Sequence, residues 1–232
     1  MKKEKVVAVV LAAGSGKRMQ SSTAKQYMLL CGKPLICYAL EAFERSAVDE
    51  VILVTGADEI AYCKNNIVEK YSYQKVTQIV AGGKERYHSV YHGLQAVREA
   101  DYVLIHDGAR PFLTDDIICR TVDTVKREHA CVVGMPVKDT IKIASADAYA
   151  SVTPDRRKVW MIQTPQAFSY KLILDAYEKI IAEGDESVTD DAMVLERALH
   201  MPVKLIEGSY HNIKITTPED MKIAEMFLKE YF

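Results

Sequence analysis

The 232-residue chain balances 30 Lys and Arg against 32 Asp and Glu, a net charge of −2, so neither nucleic acid nor an anionic membrane attracts it in bulk and any anion site must be local. That length suffices for a substantial core, and nothing argues for more than one α/β domain, residues 1–232. The cysteines Cys31, Cys37, Cys63, Cys119 and Cys131 are odd in number and contain no CxxC pair, which reads as free thiols in a reducing cytoplasm rather than zinc ligands. With no secretory or transit leader and no long apolar span, the sequence reads as soluble, cytoplasmic and unprocessed.

Val6 to Leu11 is a short apolar run suited to a strand covered on both faces. It breaks into AAGSGKRM, where Gly14 and Gly16 let backbone N–H groups approach a ligand and Lys17, Arg18 and Lys25 add positive charge. A polyphosphate suits such a loop. Neither the dinucleotide fingerprint nor the P-loop fits, because both need glycine where Met19 stands. The plainer alternative is a tight strand-to-helix turn with solvated cations.

A helix follows over Lys33 to Arg45 with Pro34 in its first turn, then a strand over Glu50 to Thr55, a helix over Asp58 to Tyr71 and a strand over Val76 to Val80. This alternation predicts a parallel sheet with helices on both faces and ligands beyond the carboxyl ends of the strands. Gly82-Gly83-Lys84-Glu85-Arg86 then leads into a helix carrying Val90, Leu94 and Val97 on one stripe. The strand Tyr102 to Ile105 ends in His106-Asp107-Gly108-Ala109-Arg110-Pro111, which sets a carboxylate and a guanidinium at the same sheet edge as the first loop. Thr114 is placed to cap the next helix, with Asp115 and Asp116 in its first turn.

After a strand over Ala130 to Val137, Lys138 to Lys158 loses the helical stripe and reads as a β-rich excursion from the core. Val159 to Gln163 rejoins the sheet, Thr164-Pro165-Gln166 reads as a turn, and Tyr170 to Glu183 as a helix stopped at Gly184. Thr189-Asp190-Asp191 opens a further helix, its two carboxylates reading as favourable helix-start charges. Val203 to Ile206 and Asn212 to Ile215 read as strands, and Thr217, Pro218 and Glu219 open the last helix. The whole reads as an α/β fold: a single Rossmann-like domain with a mostly parallel mixed sheet flanked by helices, plus a protruding β-arm.

Seven segments in order carry a likeness: LAAGSGKRM with Lys25-Gln26, GGKERYHSV, HDGARPF, PVKDTIK, TPQAF, TDDA and NIKITTPED. With them the chain resembles, over nearly its full length, the 2-C-methyl-D-erythritol 4-phosphate cytidylyltransferase family of sugar-nucleotide-type nucleotidyltransferases. The resemblance implies that a phosphate oxygen of the acceptor attacks the α-phosphorus of CTP and releases pyrophosphate. Such a nucleophile is already mostly dianionic near neutral pH, so positioning and charge stabilisation replace a general base. The resemblance assigns Arg18 and Lys25 to the triphosphate and transition state, and Arg156 and Lys214 to the incoming phosphate. It gives Ala12, Ala13, Gly14, Ser15, Gly16 and Lys17 to CTP, together with Gly82, Gly83 and Ser89 at the base and Asp107 and Gly108 nearby. Asp107 is the candidate carboxylate for Mg²⁺, while Arg110, Thr140, Thr164 and Thr189 would line the acceptor side. His106, His88 and His92 read as packing or hydrogen-bonding residues. The likeness also implies a homodimer whose arms, about residues 138–158, embrace the neighbour and lend it Arg156 and Thr140. The rival readings are a ribitol 5-phosphate cytidylyltransferase and a CTP-binding regulator without turnover.

Overall fold

Strand β1 (Val6–Ala12) sits inside a seven-stranded sheet and is buried on both faces, which is why its sequence is almost unbroken aliphatic. Its alternate residues divide the core. Val6, Ala8 and Val10 pack towards one helical layer, whereas Val7 and Val9 pack towards the other. Each such fully buried Val contributes about 1.5–3 kcal/mol relative to an exposed one. The computed structural model describes residues 3–14, 24–185 and 187–231.

Past the loop, a 3-10 turn Lys25–Tyr27 precedes a small hairpin of β2 (Leu29–Leu30) and β3 (Lys33–Pro34), and α1 spans Leu35–Arg45. Pro34 stands just before α1 instead of inside its first turn. After β4 (Glu50–Thr55), the helix expected over Asp58 to Tyr71 resolves into a 3-10 turn Ala57–Glu59, a short α2 (Ile60–Cys63) and a π-helical turn Lys64–Glu69. Then come β5 (Val76–Ala81), α3 (Arg86–Ala96), β6 (Tyr102–Asp107), α4 (Asp115–Glu128) and β7 (Ala130–Pro136). The Thr114 hydroxyl caps α4 by accepting from the Ile117 N–H at 3.3 Å, with Asp115 and Asp116 in the first turn as the helix dipole favours.

The arm is a two-stranded excursion of β8 (Ile143–Ala144) and β9 (Ala150–Val152), closed by a 3-10 turn at Arg156–Lys158. The chain re-enters the sheet as β10 (Trp160–Ser169), followed by α5 (Tyr170–Glu183), α6 (Asp191–Leu199), β11 (Lys204–Glu207) and α7 (Pro218–Tyr231). Strand order is β11-β7-β10-β6-β1-β4-β5. Only β10 runs antiparallel to its neighbours, β6 and β7, so the sheet is mixed and mostly parallel, as expected.

Two further expectations fail. Thr164-Pro165-Gln166 is not a turn but part of β10. Its Thr164–Pro165 peptide is cis, and Pro165 falls in the register shift between Ile162 and Gln166. No β7 partner is asked of Pro165 there, so its missing N–H leaves no ladder bond broken. Asn212 to Ile215 forms no strand; instead Ile215 donates to the Ala109 carbonyl at 2.9 Å and the Asn212 amide reaches the Thr164 carbonyl at 3.0 Å. One backbone bond and side-chain bonds, not a ladder, lay that segment across the carboxyl ends of the strands.

Candidate active site

Where β1 and β6 end, their loops and α3 enclose a cleft of about 360 Å³. Ala12 lines it from the end of β1 and Ala13 and Gly14 from just beyond, Gly83 from the β5–α3 connection, Arg86 and Ser89 from the first turns of α3, and Asp107 from the end of β6. Lys25 and Lys214 reach it from segments far apart in sequence. Ser15, Gly16, Lys17 and Arg18 lie outside the described residues. Gly82 makes the close approach of two loops possible, since a Cβ there would stand 2.4 Å from the Ala13 Cβ and 2.8 Å from Ser89 Oγ. The Ser89 hydroxyl is itself occupied: it accepts from the Gly83 N–H at 3.0 Å and donates to the Glu85 carbonyl at 3.2 Å. That pair fixes the backbone facing the cleft.

Asp107 is the buried charge around which the other groups turn. Its N–H donates to Thr164 Oγ1 at 3.1 Å, its Oδ1 accepts from Arg86 Nε at 3.2 Å, and its Oδ2 pairs with Lys214 Nζ at 2.7 Å. Burial by itself would raise its pKa, but Arg86, Lys214 and Arg110 together outweigh that and hold the carboxyl far below the usual carboxylate range. It is a full anion. Thr164 also meets His106 Nδ1 at 2.9 Å, while His106 Nε2 faces the Arg110 carbonyl at 3.4 Å. Because the Arg110 carbonyl can only accept, Nε2 carries the proton and Nδ1 accepts from the Thr164 hydroxyl, which assigns the neutral Nε2–H tautomer to His106. Burial pushes His106 down to about 4, in keeping with a packing role. Gly108 is a packing position too: a Cβ would lie 2.3 Å from Ile36 Cδ1 and 2.9 Å from the Leu11 carbonyl.

Arg86 was not singled out by sequence. Its Nη1 and Nη2 donate to the two oxygens of Asp191, each at 2.8 Å, while Nε turns to Asp107. The Tyr177 hydroxyl donates to Asp191 Oδ1 at 2.6 Å. Asp191 stands in the first turn of α6 as expected above, but it is not simply a helix-start charge: it is fully buried and ion-paired. The helix start belongs to Asp190, whose Oδ1 accepts from the Met193 N–H at 2.9 Å. Arg86 and Asp191 both fall in motifs read from the sequence, GGKERYHSV and TDDA, but 105 positions separate them and no local spacing pairs them.

The remaining candidates lie around the cleft or away from it. Arg110 donates through Nη1 to the Asn212 carbonyl at 2.7 Å and so helps hold the segment that presents Lys214. Thr140, Arg156 and Thr189 are exposed and do not line the cleft. Arg156 donates to the Lys138 carbonyl at 2.9 Å at the root of the arm. Among the described residues no three His, Cys, Asp or Glu side chains cluster as a metal cage.

The family model for IspD, 2-C-methyl-D-erythritol 4-phosphate cytidylyltransferase, matches residues 6–230. Enzymes of that name from Lachnospira eligens and Lachnoclostridium phytofermentans are 54% and 50% identical, covering 96% and 98% of this chain and 98% of each relative. The crystal structure of 4-diphosphocytidyl-2C-methyl-D-erythritol synthase from Anaerococcus prevotii superposes with a TM-score of 0.86 at 36% identity, over 98% of this chain and 97% of that one. With a match that runs from β1 to α7 and takes in every segment bordering the cleft, the chain belongs to the 2-C-methyl-D-erythritol 4-phosphate cytidylyltransferase family.

Proposed function

We infer that the protein transfers the cytidylyl group of CTP to 2-C-methyl-D-erythritol 4-phosphate, giving 4-diphosphocytidyl-2-C-methyl-D-erythritol and pyrophosphate. The observation that carries this reading is the convergence of Lys25, Asp107 and Lys214 on one glycine-walled cleft in a chain of this family. An acceptor phosphate oxygen forms the new bond to the α-phosphorus, and the bond to the departing pyrophosphate breaks with its electron pair. The acceptor phosphate needs no base, and the buried neutral His106 is not offered as one. Lys25, with Arg18 from the loop outside the described residues, would neutralise the triphosphate as charge builds at the α-phosphate. Lys214 would hold the incoming phosphate in line. The cytosine would sit against Gly82, Gly83 and Ser89, the ribose near Asp107 and Gly108, and the acceptor near Arg110 and Thr164; Thr189 stands exposed outside the cleft and is assigned no contact with it.

Asp107 is the buried carboxylate that would face Mg²⁺, and the described residues lack a preformed cage; this suits a cation held largely by phosphate oxygens and water. When bound, Mg²⁺ would supply charge neutralisation at the polyphosphate. A homodimer is proposed on the arm's exposed apolar side chains, with Ile143 and Val152 each 53% and Tyr149 77% accessible. Arg156 and Thr140, exposed on the arm, would then complete the partner's cleft. No helix among the described residues is long and apolar enough to cross a membrane. A cytoplasmic setting is proposed from five free thiols, three of them buried.

Pyrophosphate release with Mg²⁺ and each of CTP, UTP and ATP, offering methylerythritol phosphate or ribitol 5-phosphate, tests the reading. Release is expected with CTP and methylerythritol phosphate. Release with ribitol 5-phosphate alone would select the rival acceptor, and no release with any pair would leave a CTP-binding regulator. Lys25→Ala should lower turnover by about 100-fold or more, as for loss of one charge-stabilising donor; a fully active variant refutes its role.

A further inference from the structure

We propose that Arg86 is a positioning residue that holds the Asp107 carboxylate in place for the nucleotide, with Asp191 and Tyr177 as its anchor; this rests on the reading of Asp107 as a CTP-side residue. A guanidinium is a rigid planar fork, so two parallel bonds fix its plane and leave the third donor direction determined. Here both Nη groups are committed to Asp191 at 2.8 Å, and Nε is thereby aimed at Asp107 Oδ1 at 3.2 Å. The anchor is immobile in its turn. Asp191 and Tyr177 are fully buried, and the residues flanking Asp191 are tied to β10 through Gln166, which donates to Asp190 at 3.1 Å and accepts from the Ala192 N–H at 2.9 Å.

A simple weld between α3 and α6 would need only Arg86 and Asp191. The extra bond to Asp107, and the place of Arg86 in the cleft wall, are what a weld does not require. The two cations on Asp107 also differ in what they can do. Lys214 is 38% exposed and holds the carboxylate by one ammonium contact, so it is able to leave for a phosphate; Arg86 is tied to two carboxylates and stays. Asp107 thus keeps both its orientation and a neutralising partner when a polyanion draws Lys214 away.

The test is the dissociation constant for CTP with Mg²⁺ together with steady-state kinetics. Arg86→Lys keeps the charge and loses the fork. It should weaken CTP by about tenfold or more, the scale seen when a group orienting a ligand-bearing residue is lost. The KM for the acceptor should stay within about twofold, since Arg86 acts on the CTP side. Asp107→Asn should weaken CTP as well, and adding Arg86→Lys to it should cost nothing further. Unchanged CTP affinity in Arg86→Lys, or a loss that adds in full to that of Asp107→Asn, overturns the proposal. Should Asp107→Asn itself keep wild-type affinity, the CTP-side reading of Asp107 fails and this inference with it. If Arg86→Lys does not fold, Arg86→Gln/Asp191→Asn removes both charges of the pair and is put through the same comparison. Recovery of thermal stability with CTP affinity still reduced supports positioning, and recovery of both means a weld only.

Discussion

His106 and Asp107 are neighbours in sequence and both buried, yet the cleft drives them to opposite charge states. Asp107 keeps its charge because Arg86 and Lys214 touch it, whereas His106 loses its charge to burial, reinforced by Arg110 and Lys214 and only partly opposed by Asp107. The sign of the pH effect follows. With His106 lowered from 6.5 to about 4, the unfolded chain takes up the proton first as pH falls, so its contribution is intact above 6.5 and is lost progressively towards 4. Between pH 7 and about pH 4.5 the wild type should lose about 2–3 kcal/mol more than His106→Asn, read from urea unfolding in metal-free buffer. Equal losses in both proteins would show that His106 is not buried neutral. The Asp107 contribution fades only at lower pH, below the ordinary carboxylate value of 3.8, so the two are separable.

Two helix starts show how differently the same device is used. At α4 the Thr114 cap lies beyond the cleft wall; Thr114→Ala should cost about 1 kcal/mol in thermal or urea unfolding and leave turnover unchanged. At α6 the cap is joined to Gln166, whose side chain satisfies both Asp190 and the Ala192 N–H around the buried Asp191. Gln166→Leu, similar in size, should cost about 1–3 kcal/mol for the polar groups left unmatched, and should also weaken CTP because Asp191 anchors Arg86. The Thr114 cap was legible because a cap is local chemistry, one hydroxyl and an N–H three residues on. The α6 arrangement was not, because a helix-start carboxylate looks the same in sequence whether water or a distant arginine faces it. Pro165 misled in a related way: proline marks a turn by default, and its place at a register shift inside β10 depends on β7, which sequence does not bring to view. Asn212 to Ile215 has the apolar alternation of a strand, but its partners are the Ala109 carbonyl and side chains across the sheet edge.

For the whole molecule, periodicity placed the strands of the parallel core almost to the residue, and chain order placed their carboxyl ends, and hence the cleft, at one edge. What periodicity could not supply is which of the 30 Lys and Arg converge there: the family likeness named Lys25 and Lys214, and only tertiary structure adds Arg86. The arm poses the remaining question, because Arg156 stands outside its own chain's cleft. If each arm serves its neighbour, Lys25→Ala and Arg156→Ala, each inactive alone, should regain about one quarter of wild-type turnover after equal mixing and subunit exchange, since half the dimers then contain one intact site of two. No recovery despite proven exchange would place Arg156 in its own subunit's site. The root of that arm has a mechanical consequence. Strand β10 leaves the arm and enters between β6 and β7, away from either sheet edge, so the arm is a cantilever with its fixed end clamped on both sides. Flexing at the tip is absorbed before it reaches the clamp, and amide exchange should be fast over residues 143–152 and among the slowest in the chain at Gln166 to Phe168. The free end can therefore yield to a neighbouring surface while the cleft beside its base keeps its shape.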